Sequence, residues 1–445
     1  MPQKIYTLLL RLLAPLIWVY MLVRARRAGG QWQIFSAERF GAYALPWDGE
    51  APVWVHAVSL GETRAAQSLM AQLLARGERV LLTHMTATGR AEGARLFASE
   101  IANGQLRQQW VPYDFPGATR KFMQHYQPRI GILIEREVWP NLIEQAQLAG
   151  MPIILASARF SEKSQKQVEQ IDKVFLSLMR ETYAGLDLTL AQTEDDARRL
   201  YEVGALNIHV VGNLKFDVTL PAVAVDAGRA WRQRLNRPVI AIASTRENED
   251  ALFVKAMAQQ QTSALFLLIP RHPQRFDEAA SLLEQAGIAT VRWSVLRQNS
   301  QAEATLAEIK VVLCDTLGEM PLFYAASDVA IVAGSFAPHG GQNLIEACAL
   351  GTPVIVGPYT YNFAEAVEQA VAIGAAAQIQ STESLDAAQR AVSMAIMWLN
   401  DQQGLTEKRE LAREWVAQHT GATTRILQHI TEFEAARAQS LPPQH

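Results

Sequence analysis

A glycine-rich segment of this chain has the residue types that nucleotide-binding turns use. Residues 334–346 read Gly-Ser-Phe-Ala-Pro-His-Gly-Gly-Gln-Asn-Leu-Ile-Glu and lie between an apolar run and a helical pattern. Gly340 and Gly341 would let the backbone approach a ligand closely, and a helix amino terminus favours a phosphate. Asn343 and Glu346 would share one helix face, where the carboxylate can accept hydrogen bonds from ribose hydroxyls. A tight strand-to-helix turn with a solvated glutamate is the alternative.

A carboxylate follows the first strand-like run, Pro52–Val58. Residues 59–64 read Ser-Leu-Gly-Glu-Thr-Arg, and Gly61 allows an abrupt turn into a helix. Glu62 would lie in the first turn of that helix, where the helix dipole helps to keep its carboxylate ionised. An ionised carboxylate at the edge of a sheet suits a general base. The alternative is a glutamate that caps its own helix, which is common at helix starts.

Charged residues also follow the apolar run Ile130–Ile134. Glu135, Arg136 and Glu137 should lie at the carboxyl edge of that strand, and Arg159 follows the next strand at the same edge. Both a functional cluster and a purely structural ion-pair network fit this pattern.

Three turns in the second half of the chain carry further groups that suit a nucleotide. Each follows an apolar run: Ala243-Ser244-Thr245-Arg246, Ile269-Pro270-Arg271-His272-Pro273 and Asp315-Thr316-Leu317-Gly318-Glu319-Met320. Arg271 could bind a phosphate, and backbone groups at Leu317–Met320 could hold a base. Together with the glycine-rich turn they place glycine, hydroxyl or arginine after four strands of one sheet, which is a stronger signal than any one turn.

Several other kinds of site are not indicated. Neither half has a Gly-x-Gly-x-x-Gly turn after its first strand, and a Walker phosphate loop, an Asp-x-Asp pair and a His/Cys cluster are all missing, so the sequence predicts no dinucleotide cofactor and no metal. The net charge of −3 gives no global basic field for nucleic acid. The two cysteines, Cys314 and Cys348, lie in apolar surroundings and fit structural thiols in a reducing compartment.

The elements that must position these residues follow a regular alternation. A chain of 445 residues should form two or three domains. Strand-like runs alternate with helical patterns in two series, separated by a break near residues 217–237, which predicts two doubly wound α/β domains. Such domains would face a central cleft at the carboxyl ends of their strands. The predicted strands are Pro52–Val58, Val80–His84, Ile130–Ile134, Pro152–Ala156, Leu186–Ala191 and Ile208–Val211 in the first series, and Val239–Ala243, Leu265–Ile269, Val311–Cys314, Val329–Ala333 and Val354–Val356 in the second.

The amino-terminal segment is different. Residues 6–23 are strongly apolar, and Arg24, Arg26 and Arg27 follow at once, which suits anionic headgroups on the cytoplasmic side of a membrane. Arg11 interrupts the run and favours a helix that lies in the membrane interface over one that spans the bilayer. The alternative is a buried amino-terminal helix.

The motifs as a set resemble the bacterial 3-deoxy-D-manno-octulosonic acid (Kdo) transferases over nearly the whole chain. They are Ser59–Thr63, Glu135–Asn141, Gly212–Asp217, Pro270–Pro273, Gly340–Glu346 and Gly357–Phe363. The resemblance implies a GT-B fold and inverting transfer of Kdo from CMP-Kdo to the lipid A precursor, at the cytoplasmic face of the inner membrane and without a cofactor. The family commonly has histidine where this chain has Arg246 and Gln342.

The resemblance also implies roles for individual residues. Glu62 is the expected general base and Glu135 a second important acid. The charges of the two substrates suggest further candidates. Arg136 and Arg159 could bind the carboxylate of Kdo, and Arg271 and the turn before Asn343, with Lys215, could meet the charge on the departing CMP. The residues expected to bind the donor are Ser244, Thr245, Arg271, His272, Gly318, Glu319, Met320, Gly340, Gly341, Asn343 and Glu346.

The expected organisation is an anchor helix at 1–30, an acceptor-binding domain at 31–220 and a donor-binding domain at 221–445 that includes the last helices. Two other functions remain open at this point. One is another sugar-nucleotide enzyme of similar fold, such as a UDP-N-acetylglucosamine 2-epimerase, although such an enzyme needs no anchor. The other is a tethered binding protein that has lost its chemistry.

Overall fold

The computed structural model describes residues 2–28, 31–44, 46–47, 49–175, 177–298 and 306–440. The chain forms two compact units. The first runs to Asp217 and resumes at Thr420, and the second comprises Val218–His419. Each unit is built on one parallel seven-stranded sheet.

In the first unit the strand order is β3-β2-β1-β4-β5-β6-β7. The strands are β1 (Val53–His56), β2 (Val80–His84), β3 (Leu106–Trp110), β4 (Ile130–Ile134), β5 (Ile153–Ala158), β6 (Leu188–Ala191) and β7 (Ile208–Val210). The helices are α1 (Pro2–Ala28), α2 (Leu60–Ala65), α3 (Gln67–Ala75), α4 (Ala87–Leu96), α5 (Ala98–Ala102), α6 (Pro116–Tyr126), α7 (Pro140–Leu148), α8 (Glu162–Phe175), α9 (Leu178–Ala184) and α10 (Glu194–Glu202).

Burial on both faces explains why the central strands of this sheet read as continuous apolar runs. Val55 and Ile132 belong to the core on one face, and Trp54 and Leu133 to the core on the other. Parallel sheets covered by helices on both sides have this pattern. Because β1 lies between β2 and β4, and β4 lies beside β5, the carboxyl ends of β1, β4 and β5 are neighbours. The chain reverses its direction of winding at β1, where open α/β sheets bind their ligands.

The second unit repeats this architecture with the order β10-β11-β9-β8-β12-β13-β14. The strands are β8 (Val239–Thr245), β9 (Leu265–Pro270), β10 (Thr290–Arg292), β11 (Val311–Leu313), β12 (Val329–Val332), β13 (Val354–Val356) and β14 (Ala376–Gln378). The helices are α11 (Ala222–Arg234), α12 (Glu249–Ala258), α13 (Phe276–Gln285), α14 (Trp293–Leu296), α15 (Met320–Ala325), α16 (Ile345–Ala349), α17 (Ala364–Ala372), α18 (Ser384–Asn400) and α19 (Gln402–His419). Here β8 lies between β9 and β12, so β8 is the point of reversal.

The last helix, α20 (Ala422–Ser440), belongs to the first unit, whereas the sequence placed it in the second. Ala422, Ile426, Leu427 and Ile430 are buried in the core on one face of the first sheet. Asp217, where the chain leaves the first unit, accepts a hydrogen bond from the backbone N–H of Gly421, where it returns, at 2.6 Å. The apolar stripe of α20 completes this core, which the helical pattern alone could not reveal.

Helix α1 packs along the first unit from Gln3 to Ala25. Residues 3, 7, 10, 14, 18, 21 and 25 are buried or half-buried, and this spacing of three and four defines one helix face. The opposite side exposes large apolar residues, among them Leu12 at 65% and Leu16 at 68%. Pro2–Arg26 is long and apolar enough to cross a membrane. The side chain of Arg27 lies outside the described residues.

Candidate active site

Glu62 lies at the start of α2, directly beyond the carboxyl end of β1. Its Oε2 accepts a hydrogen bond from the backbone N–H of Ser59 at 3.1 Å, and the Ser59 hydroxyl accepts one from the N–H of Glu62 at 3.5 Å. This reciprocal pair is a capping box, so the helix-capping interpretation is confirmed. Capping fixes the position of the carboxylate and leaves its second oxygen free of this bond.

The surroundings of Glu62 oppose the ionisation that the helix dipole was expected to favour. Burial, followed by the negative charges of Glu137 and Glu135, raises the pKa of Glu62 to about 8, although hydrogen bonds from the backbone at Ser59 and Val58 oppose the rise. Burial and the two negative charges outweigh the hydrogen bonds from the backbone. A carboxyl group with a pKa close to neutrality can take and return a proton at physiological pH.

Glu135 is held in an unusual backbone conformation beside a lysine. Its φ of 62° lies in the left-handed region, and its Oε1 is 2.7 Å from Nζ of Lys215. The lysine reaches this position because the backbone N–H of Leu214 donates to the Ser157 hydroxyl at 3.2 Å, at the bulge where β5 loses register with β6. The structure therefore brings Lys215 to the acid of the first unit, whereas the sequence considered it for the departing CMP.

The two residues after Glu135 differ in their surroundings. Arg136 is exposed, and Glu137 is half-buried, with its Oε2 accepting a hydrogen bond from Nε1 of Trp139 at 3.0 Å. Burial raises the pKa of Glu137, while Trp139 and Arg136 oppose the rise. Arg159 lies beside this loop, since its backbone N–H donates to the carbonyl of Glu135 at 3.3 Å. Of the predicted edge residues, Glu135 and Glu137 thus act electrostatically on Glu62, and Arg136 acts on Glu137.

The glycine-rich turn of the second unit is built differently from the prediction. Gly340 and Gly341 have φ values of 93° and 83°, which favour glycine. A Cβ at Gly340 would lie 2.3 Å from Nδ2 of Asn362. The loop that contains Asn362 therefore fills the space beside this glycine. Helix α16 begins at Ile345 and has five residues, so the two glycines do not sit at a helix amino terminus. The expected contact of a phosphate with the helix dipole stays a prediction, and it would involve the residues that follow the two glycines.

Asn343 precedes the helix that it was expected to share with Glu346. Its Nδ2 donates to Oε1 of Glu346 at 3.1 Å, and its Oδ1 accepts from the N–H of Ile345 at 3.0 Å. Both side chains are half-buried. The amide thus orients the carboxylate, and a carboxylate held in this way can accept hydroxyl groups.

A group of cations surrounds the carboxyl ends of β8 and β9. Burial and the positive charges of Arg271 and Arg246 lower the pKa of His272, and Arg275 adds to this effect. Glu346 and Arg271 also act in opposite directions on the buried phenol of Tyr324, whose pKa is raised mainly by burial. The structure thus brings Arg271, His272 and Glu346 into one region of the second unit. Several arginine residues this close together suit a phosphate.

Ser244 and Thr245 lie at the bulge that ends β8. Ser244 has a φ of 60°, and the register with β9 shifts between Ala243 and Thr245. Thr245 is fully buried, and its hydroxyl donates to Asp250, which in turn binds Arg275. Because its hydroxyl is bonded to Asp250, the buried Thr245 side chain stabilises the turn from the interior of the protein.

The third predicted turn precedes α15. Gly318 has a φ of 82°, and a Cβ there would meet open space. The carboxylate of Glu319 accepts a hydrogen bond from Nε1 of Trp293 at 3.1 Å and pairs with Arg297 at 3.3 Å. Met320 begins the helix, half-buried. Backbone at 317–320 is therefore the part of this turn that a base could contact.

Sequence reasoning missed Glu249, the first residue of α12. Its fully buried carboxylate accepts four backbone hydrogen bonds, from Arg246 at 2.8 Å, Gly334 at 2.7 Å, Phe336 at 2.9 Å and Ala337 at 3.3 Å. It ties the turn after β8 to the glycine-rich turn after β12. The sequence gives one signal that Glu249 joins these two turns. It is an acidic residue that follows, by about one helical turn, a loop with hydroxyl groups and an arginine.

Comparisons with known proteins identify the family. Residues 36–218 match the family model for 3-deoxy-D-manno-octulosonic-acid transferase (kdotransferase), and residues 295–397 match that for glycosyl transferases group 1. The chain is 53% identical to the 3-deoxy-D-manno-octulosonic acid transferase of Bordetella pertussis over 441 residues, covering 97% of this chain and 100% of the relative. This chain belongs to the Kdo transferase family. The Haemophilus influenzae member is 31% identical over 443 residues, covering 96% of this chain and 98% of the relative.

Solved structures agree on the fold. A glycosyltransferase from Rickettsia africae matches with a TM-score of 0.54 and 14% identity, covering 86% of this chain and 99% of its own. MurG from Acinetobacter baumannii matches with a TM-score of 0.53 and 14% identity, covering 86% and 100%. The predicted family and GT-B fold are confirmed, and this Kdo transferase is a glycosyltransferase of lipopolysaccharide biosynthesis.

Proposed function

We propose that this Kdo transferase moves Kdo from CMP-Kdo to a hydroxyl group of the lipid A precursor, with inversion at the anomeric carbon and Glu62 as the general base. The observation that carries the proposal is the environment of Glu62. The capping box fixes the carboxylate at the end of β1, and its surroundings raise the pKa to about 8. Such a group is basic enough to accept a proton as an alcohol becomes a nucleophile.

The reaction has a simple balance of bonds. The acceptor oxygen gives its proton to Glu62 and forms a bond to the anomeric carbon, on the face opposite CMP. The bond from that carbon to the phosphate oxygen breaks, and CMP leaves with the electron pair. No step uses a metal ion, so arginine must meet the developing charge. Arg271, among the cations after β8 and β9, is our candidate.

The remaining candidates divide between the two substrates. In the first unit, Arg136 and Arg159 are proposed to meet the carboxylate of Kdo or an acceptor phosphate, and the pair of Glu135 and Lys215 to bind substrate hydroxyls. In the second unit, we assign the donor to the backbone around Ser244, Gly318 and Gly341 together with the residues expected from the family: Thr245, His272, Glu319, Met320, Gly340, Asn343 and Glu346. Thr245 and Gly340 are proposed to contribute to donor binding by fixing the shape of their turns.

We also propose that α1 holds the protein on the cytoplasmic face of the inner membrane, lying in the membrane plane. A helix of 27 residues is about 40 Å long. Near its start Tyr6 bonds to Asp114, and near its end Met21 packs with Trp32 and Tyr113. A helix crossing a bilayer core of about 30 Å would carry one of these ends away from the first unit. The exposed apolar side of α1 is then available to lipid.

The test is transfer measured by mass spectrometry on a tetra-acylated lipid A precursor, with CMP-Kdo made in situ. Wild-type protein should add the mass of one or more Kdo units. Glu62→Gln should bind CMP normally and lose transfer by about a hundredfold or more, which is the range of general-base effects. Glu181→Gln, an exposed change in the same unit, is the matched control. Normal transfer by Glu62→Gln would exclude this base, and inactive wild-type protein that binds CMP would point to another acceptor.

A further inference from the structure

The first two turns of α1 carry polar side chains that bind buried groups of the first unit. Nε2 of Gln3 and the hydroxyl of Thr7 donate to Oδ1 of Asn141 at 2.9 and 3.0 Å. The hydroxyl of Tyr6 donates to Oδ2 of Asp114 at 2.9 Å. The polar groups at this end of an otherwise apolar helix therefore bind a specific site on the first unit, which we call the receptor site.

That receptor site is the start of α7. Asn141 is the second residue of the helix and fully buried, and Asp114 is 8% exposed. The carboxylate of Asp114 also accepts from the backbone N–H of Asn141 at 3.1 Å and of Leu142 at 2.8 Å. Asp114 thus binds the free N–H groups of the first turn of α7, and α1 binds both Asp114 and Asn141 from the other side.

The loop fixed by this site carries the acidic cluster. Five residues, Glu135 to Trp139, connect the end of β4 to Pro140 at the start of α7. One end of the loop is held by the sheet. The other end is held by the first turn of α7, and hence by Asp114, Asn141 and α1. A displacement of that turn would move Glu135 and Glu137 relative to Glu62.

We infer that the amino-terminal turns of α1 are a positioning element of the active site, which hold the Glu135–Trp139 loop in place through Asn141 and Asp114. This rests on the proposed function of Glu62 and its neighbours. The helix that faces the membrane is thus also part of the support of the acidic cluster. Removing its three donors leaves a buried amide oxygen and a buried carboxylate oxygen without those partners, which is costly in a protein interior.

The experiment compares full-length variants in detergent micelles, where membrane attachment does not limit the rate. Tyr6→Phe combined with Thr7→Val removes two donors and keeps the shape of both side chains. We expect kcat to fall by about tenfold or more, because a small misplacement of catalytic groups can lower the rate by up to about a hundredfold. The dissociation constant for CMP should stay within twofold, because the residues assigned to CMP lie in the other unit.

Two controls separate positioning from general damage. Tyr201→Phe removes the hydroxyl of a tyrosine residue that is 69% exposed and should leave kcat unchanged. Tyr6→Phe with Thr7→Ser keeps the hydroxyl at position 7 and should recover part of kcat. A loss of folded protein with normal kcat per CMP-binding site would show a purely structural role and overturn the inference. So would an unchanged kcat in the first variant. If wild-type protein itself transfers no Kdo, the proposed function fails instead.

Discussion

The pH dependence of transfer tests the electrostatic account of Glu62 most directly. Its pKa of about 8 results from burial first and from Glu137 and Glu135 next. The base must be ionised to act, so activity is present above this pKa and is lost as the pH falls through it. With a pKa of about 8, roughly a tenth of the enzyme is active at pH 7 and nine tenths at pH 9. We therefore expect kcat/KM for the acceptor to rise about tenfold over this range.

Glu137→Gln is the perturbation that tests the cause. It removes one of the two charges that raise the pKa of Glu62, and an amide oxygen can still accept from Trp139. The acid limb of the profile should therefore move to lower pH, and activity should rise less between pH 7 and 9. Lys215→Met should move the limb in the opposite direction, since it leaves the charge of Glu135 uncompensated.

The assay is kcat/KM for the acceptor between pH 6 and 9.5, with CMP-Kdo in excess and the coupling enzyme shown not to limit the rate. Glu181→Gln controls for the loss of an exposed charge. A wild-type profile that is flat between pH 7 and 9 would refute the raised pKa. A profile for Glu137→Gln that coincides with the wild-type profile would refute the role of its charge.

Two further predictions concern the second unit. Glu249→Gln should weaken CMP binding by about tenfold or more in calorimetry, because an amide presents N–H groups to some of the four backbone donors. Glu284→Gln, at an exposed position, should bind CMP normally, and equal binding by both would show that the two turns need no anchor. Gly228→Ala places a Cβ 2.3 Å from the carbonyl oxygen of Leu322, so overpacking should lower stability by about 1–3 kcal/mol in thermal unfolding. Gly117→Ala meets nothing within 4 Å and should not destabilise, and a matching loss there would refute the steric argument.

Buried strands were the most predictable part of the fold. Val80–His84, Ile130–Ile134 and Val354–Val356 have the predicted bounds, since helices cover both faces and leave only apolar residues. The strand β3 was missed because its middle residues, Arg107, Gln108 and Gln109, are only half-buried at the sheet edge. The strands β10 and β14 are three residues long and also at edges, so no apolar run marks them.

The site shows a similar limit. The sheet topology places Glu62 and Glu135 at the ends of neighbouring strands. The alternation of strand-like and helical segments in the sequence can predict this placement. Contacts that set their behaviour join distant residues, such as the pair of Lys215 and Glu135. Glu249 and Gly334 are 85 positions apart, and their bond depends on the register of β8 beside β12. Local sequence carries little information on such pairings.

The return of α20 to the first unit has a consequence for the order of synthesis. The second unit is one uninterrupted stretch of about 200 residues, which a ribosome makes in about 10–40 s. The first unit starts earlier, yet its core lacks Ala422, Ile426 and Leu427 until that stretch has been made. The nascent chain therefore holds an unfinished hydrophobic core for that whole interval. This intermediate exposes apolar surface that the completed enzyme buries, so we expect it to be more prone to aggregation than the completed enzyme.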